Sequence, residues 1–409
     1  MSSQRHVIIG AGHAGGRAAE AMRALGFAGR ILLIGEEPHL PYERPPLSKE
    51  LLQGKADMFG PIRPAAFWQE KQIALRLGMR AAAIDPAAKT VTLADGAVEP
   101  YDKLLLATGG AVRRLPLPGV DLGNVFYLRT LDDSRAIDAR LIPDAKVVVI
   151  GGGFIGLETA ASARLRGCAV TVVELADRLM ARCVPPEISQ TFLDLHRKQG
   201  VDIRLGTGVA RLEGTDRVAR VLTSEGETLE ADLVVVGIGI VPDTALAQAA
   251  GLAVDDGIVV DEYCRTSAPD VFAAGDVTRH FSPVYGRHLR LESWQNAQNQ
   301  AIAAARNIAG SAQPYAEVPW FWSDQLGTNI QMAGVAEPAM QIVWRGSRLA
   351  FGLVEGRLRL AVAFNLGAEI RVARRLIESR AQLPAERLAD PAIKLKDLLS
   401  EATCSASTP

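Results

Sequence analysis

A short apolar run that leads into a glycine-rich turn is the feature of this sequence that most restricts its fold. His6–Glu36 reads HVIIGAGHAGGRAAEAMRALGFAGRILLIGE, in which the apolar run enters a G-x-G-x-x-G turn and then a stretch of helix-forming residues. A second apolar run, Ile31–Ile34, ends in Gly35 and Glu36. The order of strand, glycine turn, helix, strand and acid is typical of a dinucleotide-binding βαβ unit.

Each glycine of this turn has its own physical role. Gly10 permits the tight turn, Gly12 lets a pyrophosphate approach the backbone, and Gly15 lets the helix pack closely on the strand. The helix N-terminus offers unpaired N–H groups to the anion, and Glu36 is placed to accept hydrogen bonds from a ribose. A plain tight turn is the alternative explanation of the glycines alone, but the flanking strands, helix and acid favour a nucleotide site.

The same unit occurs a second time in the chain. Lys146–Glu174 reads KVVVIGGGFIGLETAASARLRGCAVTVVE, with Gly151, Gly153 and Gly156 as its glycines and Glu174 at the end of its second apolar run. Two matches with the full strand and helix context predict two dinucleotide-binding domains in one polypeptide.

The acid of the second unit favours NADH over NADPH. A carboxylate at Glu174 can accept hydrogen bonds from both ribose hydroxyls, and it repels a 2′-phosphate. Leu175 follows where an NADP enzyme more often offers a cation. Because Arg178 and Arg182 lie nearby in the sequence, NADPH remains an open alternative.

Bulk composition narrows the possible partners. The chain has 409 residues, 48% of them hydrophobic, and a net charge of −1. This balance does not favour nucleic acid or an anionic membrane as a partner. The sequence predicts neither the apolar region of a signal peptide nor a stretch of about 20 apolar residues that could span a bilayer. The expectation is a soluble cytoplasmic protein.

The four cysteines do not indicate a metal site. Cys168, Cys183, Cys264 and Cys404 form no C-x-x-C pair, and none has zinc-ligand spacing with a histidine. We therefore expect ordinary reduced thiols and no metal centre.

Several other stretches carry local expectations. In Pro38–Leu52 the prolines exclude a helix interior before Leu47, and Ser48 or the residues just before it are expected to cap a following helix. Asp276 follows Gly275 after an apolar run, so it can accept a hydrogen bond from a ligand hydroxyl, with a simple Asp turn as the alternative. The aromatic cluster in 318–325 suits either a core or the wall of a flat ring system. The last six residues, CSASTP, are expected to be disordered.

Longer motifs extend the comparison to nearly the whole chain. They are GAGHAGG (Gly10–Gly16), RPPLSK (Arg44–Lys49), ATGG (Ala107–Gly110), LRTLDD (Leu128–Asp133), GGGFIGLE (Gly151–Glu158), GIGIVPD (Gly237–Asp243), AAGDV (Ala273–Val277), ESWQNAQNQ (Glu292–Gln300) and PWFWSDQ (Pro319–Gln325). In this order they resemble the FAD-dependent, NADH-oxidising ferredoxin reductases of bacterial oxygenase systems. RPPLSK and PWFWSDQ are the specific motifs, because the glycine motifs alone also fit relatives of glutathione reductase.

The resemblance implies an α/β fold with two Rossmann-like dinucleotide-binding domains, as in glutathione reductase, plus a C-terminal α+β domain. The FAD-binding domain is expected at residues 1–107 and 240–316, and the NAD-binding domain at 108–239. The C-terminal domain is expected at residues 317–409, where it covers the flavin.

The resemblance also implies roles for particular residues. Those expected to contact FAD are Gly10, Gly12, Ala14, Gly15, Glu36, Arg44, Lys49, Ala82, Thr108, Gly109, Arg129, Gly275, Asp276, Trp294 and Trp320. Those expected to contact NAD are Gly151, Gly153, Ile155, Gly156, Glu158, Glu174, Arg182 and Gly239. Lys49, Glu158 and Trp320 are the expected catalytic residues: the first two as an ion pair near the hydride-transfer site, and Trp320 beside the flavin ring and the nicotinamide.

The implied chemistry is hydride transfer from NADH to FAD, followed by two single-electron transfers to a small two-iron two-sulfur ferredoxin. The loop after the first βαβ unit contains no cysteine, whereas flavoenzymes that pass electrons through sulfur need one there. Electrons are therefore expected to leave by the flavin edge, toward a haem monooxygenase or a ring-hydroxylating dioxygenase. Two groups of basic residues are the candidate docking patches for an acidic ferredoxin: Arg371, Arg374 and Arg375, or Arg287 and Arg290.

Two alternatives remain open from the sequence. A rubredoxin reductase uses the same chemistry with a different carrier. A flavoprotein that senses NADH and signals to a partner, like apoptosis-inducing factor, is the more distant one.

Overall fold

The computed structural model describes residues 4–55 and 59–406, so expectations for residues 1–3, 56–58 and 407–409 lie outside it. The chain forms two compact units. The first comprises Met1–Arg44, Gly60–Ala111 and Ile240–Glu317, and the second comprises Pro45–Phe59, Val112–Gly239 and Val318–Pro409. The three-domain division drawn from the sequence remains a prediction.

The described residues form ten α-helices and one 3₁₀ helix, Pro45–Leu47. The α-helices are α1 (His13–Ala24), α2 (Ala65–Glu70), α3 (Leu131–Asp138), α4 (Phe154–Leu165), α5 (Pro186–Lys198), α6 (Ala245–Ala249), α7 (Trp294–Ile308), α8 (Gly367–Ser379), α9 (Ala385–Ala389) and α10 (Leu395–Ala406). The strands are β1 (Arg5–Ile9), β2 (Arg30–Gly35), β3 (Ile73–Leu77), β4 (Ala81–Asp85), β5 (Thr90–Leu93), β6 (Val98–Pro100), β7 (Lys103–Leu106), β8 (Gly110–Val112), β9 (Val125–Tyr127), β10 (Lys146–Ile150), β11 (Ala169–Val173), β12 (Asp202–Arg204), β13 (Val209–Gly214), β14 (Val218–Thr223), β15 (Thr228–Glu230), β16 (Leu233–Val236), β17 (Ile240–Pro242), β18 (Ile258–Val260), β19 (Val271–Ala273), β20 (Thr278–Ser282), β21 (Arg287–Leu289), β22 (Trp320–Gln325), β23 (Thr328–Gly334), β24 (Gln341–Arg345), β25 (Leu349–Val354) and β26 (Arg357–Phe364).

The apolar runs of the first glycine unit become the centre of a five-stranded parallel sheet in the order β19-β7-β1-β2-β3. Alternate residues of these strands enter two different hydrophobic clusters. Ile8, Leu33 and Leu105 pack with α1 and α7, whereas Val7 and Leu32 belong to the cluster on the other face. Burial of both faces explains why the strands are apolar throughout instead of alternating.

The second glycine unit builds an equivalent parallel sheet in the second unit of the chain. Its order is β12-β11-β10-β16-β9, and all neighbouring strands are parallel. Val148 and Val234 are aligned on adjacent strands and share a buried cluster. Strand β11 runs parallel to β10 and ends at Val173, so Glu174 leaves the sheet at its carboxyl edge.

The C-terminal part of the second unit is a five-stranded antiparallel sheet in the order β22-β23-β26-β25-β24. Helix α8 buries Ile370, Ala373, Leu376 and Ile377, whose spacing of three and four residues forms one apolar stripe. Two parallel sheets of the Rossmann type and a C-terminal sheet-and-helix region confirm the predicted α/β fold class.

Two local expectations need correction. No α-helix follows Ser48 directly: the chain continues in turns to Gly54, and the Ser48 hydroxyl donates to Glu158 instead of capping a helix. Residues 404–406 belong to α10, so the prediction of disorder from Cys404 onward is wrong for them.

The proline-rich loop that begins at Pro45 belongs to the second unit of the chain. Residues 45–59 belong to this unit, although the chain before and after them belongs to the first. A hydrogen bond to α4 ties the loop in place, since the Ser162 hydroxyl donates to the Ser48 carbonyl at 2.8 Å.

Within the described residues, none of the helices combines the length and the apolar character needed to cross a bilayer.

Buried histidines make the stability of this fold sensitive to acid. Burial is the main cause that lowers the pKa of His6 to about 4, of His13 to about 3 and of His280 to about 4, from an ordinary value of 6.5. Between pH 6.5 and these values the unfolded chain binds more protons than the folded one. The contribution of these three histidines to stability is therefore fully present above pH 6.5 and is lost as the pH falls, by at most about 1.4 kcal/mol per histidine and pH unit.

We predict that His280→Gln reduces this loss. The thermal unfolding midpoint of the wild type should fall between pH 7 and pH 5, and that of the variant should fall less, because one buried group no longer becomes charged on unfolding. Gln69→Asn, at an exposed site and without a titratable group, is the control and should keep the wild-type slope. Equal slopes for His280→Gln and wild type would contradict the prediction.

Candidate nucleotide and redox site

The first and third glycines of each turn are required by packing. A Cβ atom on Gly10 would lie 2.1 Å from the Ala107 carbonyl oxygen, and Gly10 has a φ of +106°. A Cβ on Gly15 would lie 1.8 Å from the Gly10 carbonyl oxygen. The second turn repeats this pattern: a Cβ on Gly156 would lie 2.0 Å from the carbonyl oxygen of Gly151, whose φ is +108°.

The middle glycines face open space instead. A Cβ on Gly12 would have only the Arg44 Nη2 atom near it, at 3.9 Å, and a Cβ on Gly153 would have no atom within 4 Å. Both residues are the N-caps of their helices, and neither helix has a side-chain cap. Since the fold itself does not require glycine there, the free space and the open N–H groups fit a pyrophosphate in each turn.

A small charged cluster surrounds Gly12 in the first unit. Arg44 Nη2 donates to Glu37 Oε1 at 2.8 Å, and the Tyr42 hydroxyl donates to the same carboxylate. Burial disfavours the Arg44 charge, but Tyr42, Glu37 and Asp276 outweigh it and raise the pKa of the guanidinium. The predicted residues Gly12, Arg44 and Asp276 are thus neighbours. The sequence did not reveal that Glu37 and Tyr42 belong to the same cluster.

The turn at Gly275 lies against the first turn of α1. Gly275 has a φ of +86°, and a Cβ there would lie 3.1 Å from the Ala14 Cβ. The Gln300 side-chain oxygen holds the turn, because it accepts from the Gly275 N–H at 2.8 Å and from the Thr278 hydroxyl at 2.9 Å. Gln300, which is fully buried, was missed as a support of this turn.

Two predicted FAD residues lie at the end of β7. The Thr108 hydroxyl donates to the Asp243 carbonyl at 2.7 Å, and the Gly109 carbonyl accepts from the Asp243 N–H at 3.0 Å. These bonds join the ATGG motif to the chain that follows β17.

The remaining predicted FAD residues of the first unit are more scattered. The Trp294 ring lies 5.2 Å from the ring of His13 at the start of α1, a contact that the sequence did not reveal. Glu36 directly follows β2, and its side chain is 69% exposed. Ala82 is exposed in the separate β4-β5-β6 sheet.

In the second unit, Glu174 braces the glycine turn. Its carboxylate accepts from the Gly152 N–H at 2.6 Å and from the Ala176 N–H at 2.8 Å, one on each oxygen. Leu175 is 76% exposed beside it.

Arg178, a cation near this turn in the sequence, is hydrogen-bonded to the backbone. The Arg178 guanidinium donates to the Ala181 and Val184 carbonyls, both at 2.7 Å, so these donors are committed to the local loop.

The other predicted NAD residues lie close to this turn or to each other. Ile155, in the first turn of α4, is a large apolar side chain that is 44% exposed. Gly239 has a φ of +97°, and a Cβ on it would lie 2.9 Å from Arg182 Nη2, so these two residues are adjacent.

A buried ion pair in the second unit joins the proline-rich loop to α4. Lys49 Nζ donates to Glu158 Oε2 at 2.9 Å, and the Lys49 and Glu158 side chains are only 6% and 2% exposed. The Ser48 hydroxyl donates to the same oxygen, and the Ser323 hydroxyl donates to Glu158 Oε1 at 2.6 Å. These three donors compensate a carboxylate that is removed from water. The two serines were not found from the sequence as partners of this pair.

The aromatic run predicted as a core or a ring wall forms strand β22. The Trp320 and Trp322 rings stack with centroids 5.3 Å apart, and the Phe321 ring packs against that of Phe154 in α4 at 4.3 Å. Arg129 lies just before α3, where its backbone N–H donates to an oxygen of the Asp133 carboxylate at 3.1 Å. The contacts of Trp320 and Arg129 with a cofactor remain predictions.

Two of the cysteine thiols are poorly suited to redox chemistry, whereas Cys183 is half-buried. Cys168 and Cys264 are buried, and burial is the main cause that raises the pKa of each thiol. A thiolate is the reactive form, so both groups are expected to be inert. No group of three His, Cys, Asp or Glu side chains in the described part of the chain is arranged to hold a metal ion.

We predict that Gly153→Ala separates nucleotide binding from folding. Its φ of −85° suits alanine, and the new Cβ meets no protein atom, so the thermal midpoint should stay unchanged. The methyl group would occupy the space expected for the pyrophosphate, so KM for NADH should rise about tenfold.

Gly156→Ala is the matched control, because its Cβ would lie 2.0 Å from a backbone oxygen and should destabilise the protein. An unchanged KM for Gly153→Ala would remove this turn from the nucleotide site.

Two family models and several known proteins match this chain. Residues 4–301 match the family described as pyridine nucleotide-disulphide oxidoreductase, and residues 320–399 match the family described as reductase C-terminal. The chain is 46% identical, over 407 residues, to the anthranilate 1,2-dioxygenase system ferredoxin–NAD(+) reductase component of Burkholderia cepacia, covering 98% of this chain and 100% of that protein. It is 39% identical, over 414 residues, to putidaredoxin reductase of Pseudomonas putida, covering 98% of each chain.

A solved structure of the covalent putidaredoxin reductase–putidaredoxin complex matches with a TM-score of 0.95 and 38% identity, covering 98% of this chain and 100% of that one. The chain therefore belongs to the pyridine nucleotide-disulphide oxidoreductase family, as an oxidoreductase that uses FAD and NAD(H) and carries the reductase C-terminal region.

Proposed function

We propose that this protein passes electrons from NADH, by way of FAD, to a two-iron two-sulfur ferredoxin of a bacterial oxygenase system. The terminal enzyme is a haem monooxygenase or a ring-hydroxylating dioxygenase. Similarity along nearly the full chain to ferredoxin reductase components, one of them solved in complex with putidaredoxin, supports this proposal. The NADH-dependent reaction is proposed to take place in the cytoplasm.

The observation that carries the proposal is a buried ion pair in the loop after the first βαβ unit. Flavoenzymes that pass electrons through sulfur need a cysteine in this loop. The loop after the first βαβ unit contains Lys49 and no cysteine, and Lys49 pairs with Glu158. Cys168 and Cys264 lie in other segments and are buried there. The absence of a cysteine from this loop leaves no thiol at the position where such enzymes need one, which favours a one-electron carrier as the acceptor.

The residues of the chain are proposed to bind and orient the reactants. FAD, when bound, supplies the capacity to accept two electrons as a hydride and to release them singly. Gly12 with the N-terminus of α1 would hold its pyrophosphate, with Arg44 as a neighbouring cation. Gly153 with the N-terminus of α4 would hold the pyrophosphate of NADH. Lys49 and Glu158 are proposed to lie at the hydride-transfer site and to exclude water from it.

A preference for NADH is proposed from the residues that follow β11. Glu174, whose carboxylate oxygens accept from the Gly152 and Ala176 N–H groups, is proposed to accept further hydrogen bonds from the ribose, and the exposed Leu175 beside it carries no charge. Arg178 is committed to two backbone carbonyls, so it is a poor partner for a 2′-phosphate. Arg182, which is exposed beside Gly239, keeps some attraction for NADPH.

NADH-dependent reduction of cytochrome c by the purified holoenzyme, with and without a two-iron two-sulfur ferredoxin, tests the function. We expect a large stimulation by ferredoxin and much lower activity with NADPH. Stimulation by rubredoxin alone would instead identify a rubredoxin reductase. Reduction by NADH without stimulation by any carrier would overturn the electron-transfer proposal and favour an NADH-sensing flavoprotein.

Helix α8 is the better of the two candidate docking patches. Arg371 and Arg375 are exposed one turn apart, whereas Arg374 Nε lies 3.6 Å from Glu378 Oε1. In the other patch, Arg290 donates to two carboxylates, those of Asp256 and Glu292. Since a paired guanidinium is less available to an acidic partner, we propose that Arg371 and Arg375 attract the ferredoxin.

We predict that Arg371→Glu with Arg375→Glu raises KM for ferredoxin about fivefold at low salt, because rim charges steer association. Reduction of a small dye should be unchanged. Arg348→Glu with Arg357→Glu, two exposed arginines of the same sheet region, is the charge-matched control. An equal rise in KM for both double variants would argue for a general charge effect and against this patch.

A further inference from the structure

We propose that His196, Gln325 and Ser323 form a buried hydrogen-bond chain that positions the Glu158 carboxylate for hydride transfer. This inference rests on the proposed function, since it assigns Glu158 to the hydride-transfer site. The three residues act through Glu158 and are therefore positioning residues.

The hydrogen-bond chain is continuous, and its members are buried from solvent. The His196 Nε2 atom lies 2.8 Å from Gln325 Oε1, and Gln325 Nε2 donates to the Ser323 hydroxyl at 2.9 Å. The Ser323 hydroxyl donates to Glu158 Oε1 at 2.6 Å. His196, Gln325 and Ser323 are fully buried, and Glu158 is 2% exposed. A signal in the sequence existed only for Ser323 and Gln325, as part of the PWFWSDQ motif.

The direction of every hydrogen bond in this chain is determined. A carboxylate can only accept, so the Ser323 hydroxyl must donate to Glu158. The Ser323 oxygen then accepts from the Gln325 amide nitrogen, which leaves the Gln325 oxygen as the acceptor for His196. His196 must therefore carry a proton on Nε2, and burial, the largest cause, lowers its pKa and favours the neutral ring.

The hydrogen-bond chain and the ion pair bind different oxygens of the Glu158 carboxylate. Ser48 and Lys49 bind Glu158 Oε2, whereas Ser323 binds Oε1. Without a donor on Oε1, only the two bonds to Oε2 would limit rotation of the carboxylate about its last bond, so its alignment with Lys49 could change. An oriented hydroxyl removes this freedom, which is how a supporting shell keeps a reactive group in place.

His196 extends this network to another helix. It lies in the last turn of α5, and its Nδ1 atom has no hydrogen-bond partner among the described residues. The hydrogen bonding of its ring is thus directed along the chain to Glu158. A residue retained only for packing would not need a donor at Nε2, and this difference can be tested.

The test compares His196→Met with His196→Gln in the FAD-loaded protein. Methionine fills a similar volume without a donor, whereas glutamine restores an N–H at similar reach. Stopped-flow reduction by NADH should be slowed about fivefold in His196→Met and restored to within about twofold in His196→Gln. KM for ferredoxin and the flavin absorption spectrum should not change in either variant.

Ser323→Ala removes the last donor of the chain and should slow reduction at least as much, with Ser323→Thr as its rescue. This pair serves if a substitution at His196 prevents folding. Equal reduction rates in His196→Met and His196→Gln, or in Ser323→Ala and Ser323→Thr, would overturn the positioning role. A wild-type protein that NADH does not reduce would instead overturn the proposed function itself.

Discussion

The close approach of a helix to a strand at two glycine turns is the constraint on which the rest of this structure depends. In each turn, the third glycine leaves no room for a side chain against the carbonyl oxygen of the first. This packing brings the start of each helix to the carboxyl edge of its parallel sheet. The middle glycine then faces free space, so the same turn that closes the fold also leaves room for a nucleotide.

A second constraint is the burial of charge in the second unit of the chain. Glu158 is removed from water, and such a carboxylate is tolerated only when its oxygens are well hydrogen-bonded. Lys49, Ser48 and Ser323 provide these bonds from segments far apart in the sequence. The need to satisfy one carboxylate therefore ties the proline-rich loop and strand β22 to helix α4.

Pairing also decides which surface charges are available to partners. The sequence makes Arg178 a candidate partner of a 2′-phosphate, and Arg290 and Arg374 candidate partners of a ferredoxin. In the structure, each guanidinium has carbonyl or carboxylate oxygens close to it. Arg371 and Arg375 are more exposed than Arg374 on the same helix. A count of basic residues therefore overestimates the surface that can attract an anion, because short-range pairing competes with long-range attraction.

The sequence by itself determined the two βαβ units, the fold class and the family, since these depend on local spacing: apolar runs, glycines and a terminal acid recur at regular distances. The ion pair between Lys49 and Glu158 was also expected, but only through the resemblance. Tertiary structure alone decided that Ser48 donates to Glu158 instead of capping a helix, and that His196 reaches Glu158 through two other side chains. Such contacts join residues distant along the chain, and no local pattern of apolar and polar residues records them.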